Sequence, residues 1–506
     1  MDLHITLGAR RDRAAQIYRQ LLDAILDGRL RTGDRLPATR DLAHQLAVSR
    51  TTVTVAYERL AAEGYLAGRA GSGTYVQGTA RTPVRPQSTE GAAATGPAPR
   101  PLWPALPLAD TTVEPGVRYA FAIGLPDLGL FPFQTWRRLV TQELRLGALG
   151  TGDYGPPEGL GALRAAIARH YGVSRGLRAT ADDVVVTNGA QQAIDLVGRV
   201  LAGPGTTVAV EEPGYPPARH AFAATGARVV GVPVDGEGLV VEALPPGTRV
   251  VYVTPSHQFP LGVAMSPQRR AQLLAWAREQ GAVVVEDDYD SEFRYSARPL
   301  QPLHSIDRSS SVVYIGTFSK TMFPGLRLGF LLAPPSLRTA VRTAKQLTDW
   351  HTDTVSQAAL ARFIDDGLLA RHIRRCLRHY AARRALVLEW LAQQTGLAAL
   401  PSSAGLHVTA LVASAGADDG LIEDAVRRAN AAGVTVRSVR PFYVDSPGVG
   451  GLMLGYGAIP TDRVRAGLAV LAQALDHRSA PSAGASRAPR RTGRGPAGRG
   501  EGGHRP

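Results

Sequence analysis

Apolar side chains fall along this chain in two rhythms. Between Ala14 and Leu26, Ile17, Leu21, Leu22, Ile25 and Leu26 recur at helical spacing, and Gly28 follows as a stop. A second, short helix is predicted over Leu36 to Ala43, started by Pro37, and a third from Arg50 through Tyr57 and Leu60, with Ser49 as its natural N-cap. Two helices joined by a tight turn make a helix-turn-helix. Gly64-Tyr65-Leu66 and Gly71 to Val76 then read as a two-stranded wing.

Farther along the rhythm changes to short unbroken apolar runs. Val184 to Thr187 leads into Asn188-Gly189-Ala190-Gln191-Gln192 and an apolar helix over Ala193 to Leu201. Ala282 to Val285 lies between Gly281 and the cluster Glu286-Asp287-Asp288-Tyr289, and Val312 to Ile315 precedes Gly316-Thr317-Phe318-Ser319-Lys320. Such runs are strands buried on both faces of a parallel sheet. They alternate with helical stretches such as Arg269 to Glu279, which indicates an α/β sheet whose ligand crevice lies beyond the carboxyl ends of its strands. The acids and Lys320 then face one crevice. The turn at Gly189, where a strand gives way to a helix N-terminus, is a candidate anion site.

Between the two patterned regions, Gly78 to Val117 is rich in Pro, Ala, Thr and Gly, with Pro83, Pro86, Pro97, Pro99, Pro101, Pro104 and Pro107 recurring, and reads as a partly extended linker. Residues 478–506, rich in Gly, Pro, Ala and Ser, are expected to be a disordered tail. The chain thus divides into 1–77, 78–117, 118–477 and 478–506, and its 506 residues exceed one domain.

Composition sharpens the candidate chemistry. Of 57 basic side chains 55 are arginine, leaving two lysines (57 − 55 = 2), Lys320 and Lys345. Arginine supplies charge wherever lysine can, but only lysine offers an amine that deprotonates and attacks an aldehyde. Lys320 at a strand end is therefore the first residue to suspect, while Lys345, in a polar helical run, reads as an ordinary surface lysine. The net charge of +14 and pI near 10.3 owe much to the tail, which carries 7 arginines against one acid. Residues 1–77 carry 11 arginines against 8 acids, so an interaction with nucleic acid there rests on motif and not on bulk charge. Cys376 is alone, which excludes an intrachain disulfide, and it is expected to pack near Ile373 and Leu377. The twelve histidines show no zinc spacing, and no metal is expected. No apolar run approaches about 18 residues and the start lacks a signal-type segment, so a soluble cytoplasmic protein without membrane contact is expected.

Thr317 to Lys320 with Pro324-Gly325-Leu326-Arg327, Asp287 to Tyr289, and Asn188-Gly189-Ala190-Gln191 together resemble the pyridoxal phosphate (PLP) site of type I aminotransferases. That resemblance implies an α/β PLP-dependent transferase fold with a large domain and a small C-terminal one. It implies that Lys320 forms the Schiff base with PLP, that Asp287 pairs with the ring nitrogen, and that Tyr289 bonds the ring 3′-oxygen. The phosphate would rest on Gly189, Ala190 and Gln191, with Thr317 and Arg327 as donors, and Tyr215 would stack on the ring. The assignment to Asp287 rather than Glu286 or Asp288 comes from the family's spacing.

The first domain, from Ile17 to Val76, closely resembles the winged helix-turn-helix of GntR-type transcription regulators, through Gly33 to Pro37, Thr39 to Ala43 and Val48 to Val53. By that likeness Ser49, Arg50, Thr51 and Thr52 read bases and phosphates, with Arg40 from the preceding helix and Gly71 in the wing, unless one of the two threonines only caps the helix. A DNA-reading head tethered to a PLP body is the arrangement of the MocR subfamily. It implies a PLP-dependent regulator of double-stranded operator DNA that senses PLP or an amino compound. It also implies head-to-tail homodimers with swapped heads, and Tyr154 resembles the tyrosine that reaches the partner's phosphate.

Two departures from ordinary aminotransferases favour sensing over turnover. Thr254 to Gly262 replaces their asparagine loop, leaving His257 or Gln258 to contact the ring oxygen. Gly451 to Tyr456 lacks the arginine that clamps a substrate carboxylate, for which Arg437 or Arg440 could substitute unless they are plain surface residues. A working aminotransferase with a tethered head stands as the alternative, because every group that such chemistry needs is present.

Overall fold

The computed structural model describes residues 5–8, 12–69, 72–77, 99–106, 116–145, 153–295, 300–413, 420–446 and 448–476. Gly71, most of the linker and the basic tail lie outside the described residues. The chain divides into two compact units, Met1–Pro99 and Arg100–Pro506, so the break falls inside the expected linker. Its described part includes one helical turn, Leu102–Ala105, where extended chain was expected.

The first unit holds α1 (Arg13–Leu26), α2 (Thr39–Gln45), α3 (Arg50–Ala62), β1 (Leu66–Arg69) and β2 (Gly73–Val76). The apolar stripe of α1 is buried at Ile17, Leu21 and Ile25, against Leu42 of α2 and Val53 and Leu60 of α3. Gly28, at φ +80°, takes the left-handed conformation that ends the first helix. The Ser49 hydroxyl accepts the Thr52 N–H at 3.2 Å, which fixes where α3 begins. A cap of this kind contributes about 1 kcal/mol. The antiparallel pair β1–β2 is the wing, and Leu36 donates its N–H to Thr74 O, fastening the wing to the turn before α2.

The second unit is built on an eight-stranded sheet. Its strands are β3 (Val184–Thr187), β4 (Thr207–Glu212), β5 (Arg228–Asp235), β6 (Gly238–Leu239), β7 (Thr248–Val253), β8 (Val283–Asp288), β9 (Val312–Thr317) and β10 (Gly329–Leu332), in the order β3-β10-β9-β8-β7-β4-β5-β6. From β9 to β5 all neighbours are parallel. β10 runs against both β9 and β3, so one reversed strand separates the strand that leads to Lys320 from the strand that leads to Gly189.

Both faces of this sheet are covered, which explains the unbroken apolar runs. Val285 and Ile315 pack with Ala193 and Val197 of α4 (Gly189–Leu201), while Val284 and Val312 pack on the other face with Leu273 and Leu303. A smaller antiparallel sheet of Leu397–Ala399, His407–Val412, Gly451–Gly455 and Arg437–Ser438 packs against the long helix Leu368–Leu391 and the helix Val464–Asp476. Cys376 is buried in that core, as expected. The large and small domains of the transferase fold are both present. Among the described residues no helix is long and apolar enough to cross a membrane.

Candidate cofactor site and nucleic-acid interface

Lys320 follows β9 and its Nζ donates to Gly124 O at 2.8 Å. Gly124 sits at φ +70°, a left-handed conformation that favours glycine, and a Cβ there would stand 2.8 Å from that Nζ, so a side chain would also push the lysine aside. Its separation from Lys320 along the chain hides this contact in the sequence. Burial lowers the Lys320 amine from its ordinary value, and nearby Arg327 adds to this, while Asp290 and Asp287 oppose it. The result favours the neutral amine, which is the nucleophilic form.

One strand over, β8 ends in three acids, and all three are buried rather than solvated. Their partners separate their roles. Glu286 caps the turn Leu303–Ile306, accepting the N–H groups of Leu303 and His304 at 2.9 Å. Burial would raise the Asp288 carboxyl, but Arg175, at 2.7 Å, and the Tyr314 hydroxyl outweigh it and hold the group below the ordinary range. Asp288 and Asp287 each keep one buried oxygen without a partner, but the described contacts give a cation, Arg175, to Asp288 and none to Asp287. Asp287 Oδ2 accepts from Tyr252 at 2.6 Å, and its Oδ1 is buried with no partner. Burial first, then the Asp288 charge, push it up to about 6, against the pull of the Tyr252 bond and Lys320. A protonated ring nitrogen is the partner such an atom lacks, so PLP fits here.

Tyr289 comes next, and burial raises its hydroxyl well above the ordinary value, keeping it a donor. It donates to His257 O at 2.9 Å and lies 3.0 Å from His257 Nδ1. His257 is fully enclosed, with Nδ1 3.0 Å from Asp290 and Nε2 3.1 Å from the Ser402 hydroxyl. The histidine therefore stands behind Tyr289, held by Asp290 and Ser402. The Gln258 amide is engaged elsewhere, donating to Glu211, Pro213 O and Phe259 O and accepting the Leu261 N–H.

His257, Asp290 and His407 also bring ligand-type atoms within 4.8 Å of one another, a cluster that spacing along the chain could not reveal. Its donors are already engaged, since His407 Nε2 lies 3.1 Å from Pro260 O and His257 Nδ1 faces Asp290.

The anion turn forms where β3 passes into α4. Gly189 is at φ +76°, and a Cβ there would lie 2.7 Å from the Arg327 guanidinium, so bare backbone and cation share one small space. Arg327 is exposed and donates to Asn188 O at 2.8 Å. Ala190 and Gln191 stand in the first turn of α4, whose N–H groups have no acceptor within the helix. The Thr317 hydroxyl is buried and bonded to Ser319.

Behind this turn the structure corrects one expectation. Lys345 is fully buried, not a surface residue. Its Nζ binds Asp349 at 2.6 Å, and Asp349 in turn accepts from Asn188 and Gln192 at 2.6 and 2.8 Å. The helix Arg338–Asp349 thus braces the anion turn through an ion pair that its polar sequence disguised.

Tyr215 packs edge-on against Phe259 at 5.5 Å, beside the strand end that carries Glu212. Glu212 accepts the N–H groups of Val444, Asp445 and Ser446 and an Arg219 bond, tying that small-domain segment to the large domain. Tyr154 is 73% exposed, with its ring 4.9 Å from Trp350. Arg437 is exposed on an edge strand, Arg440 lies 3.5 Å from Glu423, and neither is joined to the Lys320 group by any described contact.

In the first unit Ser49, Arg50 and Thr51 are exposed at the start of α3, and Arg40 is exposed in α2. Thr52 is half-buried, and its N–H and hydroxyl both meet Ser49, so of the two threonines it is the one that serves the cap.

Comparison with known proteins divides the chain in the same way. The family "Bacterial regulatory proteins, gntR family" matches residues 13–76, and "Aminotransferase class I and II" matches residues 124–465. The "Probable rhizopine catabolism regulatory protein MocR" of Rhizobium meliloti is 36% identical over 91% of this chain and 93% of its own. The "HTH-type pyridoxine biosynthesis transcriptional regulator PdxR" of Corynebacterium glutamicum is 31% identical over 91% and 95%. The chain belongs to the MocR subfamily of GntR-type regulators. Among solved structures, the body of this MocR-type chain is similar to a Pyrococcus horikoshii kynurenine aminotransferase in complex with PMP, at a TM-score of 0.66 and 30% identity over 72% of this chain and 92% of that one. An alpha-aminoadipate aminotransferase of Thermus thermophilus, complexed with N-(5′-phosphopyridoxyl)-L-leucine, gives 0.65 and 30% over the same shares. The body of this MocR-type protein is thus a PLP-dependent aminotransferase fold, and its cofactor is PLP.

Proposed function

We propose that the protein regulates transcription by binding operator DNA through α3 and the wing, and that PLP at Lys320, alone or with an amino compound, sets that binding. The pairing of a nucleophilic lysine with the partnerless Asp287 oxygen carries the cofactor half of this reading. PLP when bound supplies an aldehyde for the lysine and a ring that draws electrons from it. This chain's own residues then divide the work. Lys320 supplies the amine, and Asp287 holds the proton on the ring nitrogen. Tyr289, aligned by His257, donates toward the ring oxygen, and Tyr215 covers the ring. The Gly189-Ala190-Gln191 turn, Thr317 and Arg327 hold the phosphate.

Arg40, Ser49, Arg50 and Thr51 supply the contacts to DNA together with Gly71, while Thr52 serves the α3 cap. The name of the Corynebacterium relative, a regulator of pyridoxine biosynthesis, supports PLP itself as the sensed molecule. Two copies form the working unit, with exposed Tyr154 reaching the partner's phosphate. For PLP to act as a signal it must bind two conformations of the protein unequally.

The alternative is catalysis, which the intact Lys320, Asp287 and Tyr289 set favours. The test is an absorbance spectrum with PLP, followed by titration of a fragment from the gene's own upstream region with and without PLP. A visible Schiff-base band with PLP-dependent DNA affinity is expected. Turnover of an amino acid with DNA affinity indifferent to PLP would replace this reading by the enzymatic one.

A further inference from the structure

α3 buries Val53, Ala56, Tyr57 and Leu60. At about 100° per residue, Thr51, Val55 and Glu58 project from the side diametrically opposite that buried face. Thr51 and Glu58 are polar, as an outward face requires. Val55 is an apolar side chain between them and is 49% exposed.

Folding gives no reason for a valine at this place. It adds nothing to the core, and a β-branched residue is a poorer helix former than alanine, lysine or glutamate on an exposed face. Isolated exposed apolar residues are ordinary on protein surfaces, but this one occupies the middle of the outward stripe of the helix that Ser49 caps, one turn beyond Thr51. That stripe is the one a recognition helix turns toward base edges. Of the groups that line the major groove, the C5-methyl of thymine is the apolar one, and it is matched by aliphatic contact rather than by a hydrogen bond.

We propose that Val55 is a specificity-determining residue that packs on a thymine methyl in the major groove of the operator. The proposal rests on the reading of the first unit as the DNA-binding part. On that basis Arg50 and Thr51 position the helix through polar contacts, and Val55 selects thymine over cytosine or uracil at one position of each half-site. Its contribution is the burial of about one methyl group on each side.

The experiment uses the full-length protein with PLP and duplexes selected by it from a random pool. Each thymine of the selected site is replaced singly by uracil, which removes the methyl and leaves every hydrogen bond in place. Wild-type affinity is expected to fall about four-fold at one position per half-site, the effect of one methyl withdrawn from contact. Val55→Ala is expected to bind thymine and uracil duplexes alike, with thermal unfolding of the first unit unchanged or raised. Should Val55→Ala fold poorly, Val55→Ser repeats the comparison.

A wild-type protein indifferent to every uracil overturns the inference. So does a Val55→Ala protein that keeps the full uracil penalty, and if Thr51→Ser then removes that penalty, the methyl belongs to Thr51. Failure to select any duplex overturns the DNA-binding reading itself, which is a different result.

Discussion

The two units put their chemistry in opposite places. In the first, the candidate DNA-reading groups stand exposed on α2 and α3, over a core that is almost wholly apolar. In the second, the candidate ligand groups are mostly buried, and further charge is buried behind them: Arg175 with Asp288, Lys345 against half-buried Asp349, and Glu211 and Glu286. The difference teaches which changes separate function from folding. A surface reader can be altered without disturbing its support, whereas a buried site shares its support with the fold.

The sharpest break in that contrast is Lys320→Ala. It should abolish the visible Schiff-base band completely while the body stays folded, because burial disfavours the charged amine and its removal relieves that cost. An absorbance spectrum beside a thermal melt decides it, and a surviving band would remove Lys320 from its role.

Next comes Arg175→Leu, which strands Asp288 without its cation. Body stability should fall by roughly 3–5 kcal/mol in chemical denaturation, with the first unit's transition unmoved. A loss under about 1 kcal/mol would mean that the buried pair supports the site less than its geometry implies.

Glu211 tests the same contrast through pH. Burial, opposed by bonds from Thr254 and Gln258, pushes its carboxyl up to about 7 from 4.5. The folded state therefore holds a proton that the unfolded state has lost, and stability declines as the pH rises through that window. Glu211→Gln should leave melting below about pH 4 unchanged and raise stability at pH 8 by on the order of 3 kcal/mol at most, the difference of the two values. An equal effect at both pH values would assign the gain to packing instead.

Arg50→Ala should be the mildest. A loss of roughly 1–3 kcal/mol of specific DNA affinity is expected, with PLP absorbance and both melting transitions unchanged. Simultaneous loss of absorbance would show that the exposed reader is tied to the fold after all.

The same contrast decides what could be read from the sequence. The first unit is legible almost throughout, since its helices, the Ser49 cap and its wing are local patterns, and the exposed group Arg40, Ser49, Arg50 and Thr51 follows from them. In the second unit Lys320 was legible because it follows an apolar strand run in a chain with only two lysines, while the run before Glu286 marked an acidic cluster within which only the family resemblance chose Asp287. What supports them was not. Gly124 meets Lys320 across 196 positions and Arg175 meets Asp288 across 113, pairings that no periodicity carries. Lys345 misled because an i, i+4 partner at Asp349 looks the same in sequence whether the pair is buried or exposed. His257 was legible as a departure from the asparagine loop, but its partners Asp290 and Ser402 lie on other segments.

The reversed strand β10 acts as a spacer. It is the single strand between β3, which leads to Gly189, and β9, which leads to Lys320, so it holds those two strands two inter-strand steps apart, about 10 Å. Nor can the gap easily close, since a Cβ on Gly329 would already meet Gly189 backbone at 2.9 Å and Gly316 O at 2.9 Å. The sheet thus sets the spacing between the Gly189 turn and the strand that delivers Lys320: one strand fewer would bring those two ends together, and one strand more would part them by about another 5 Å.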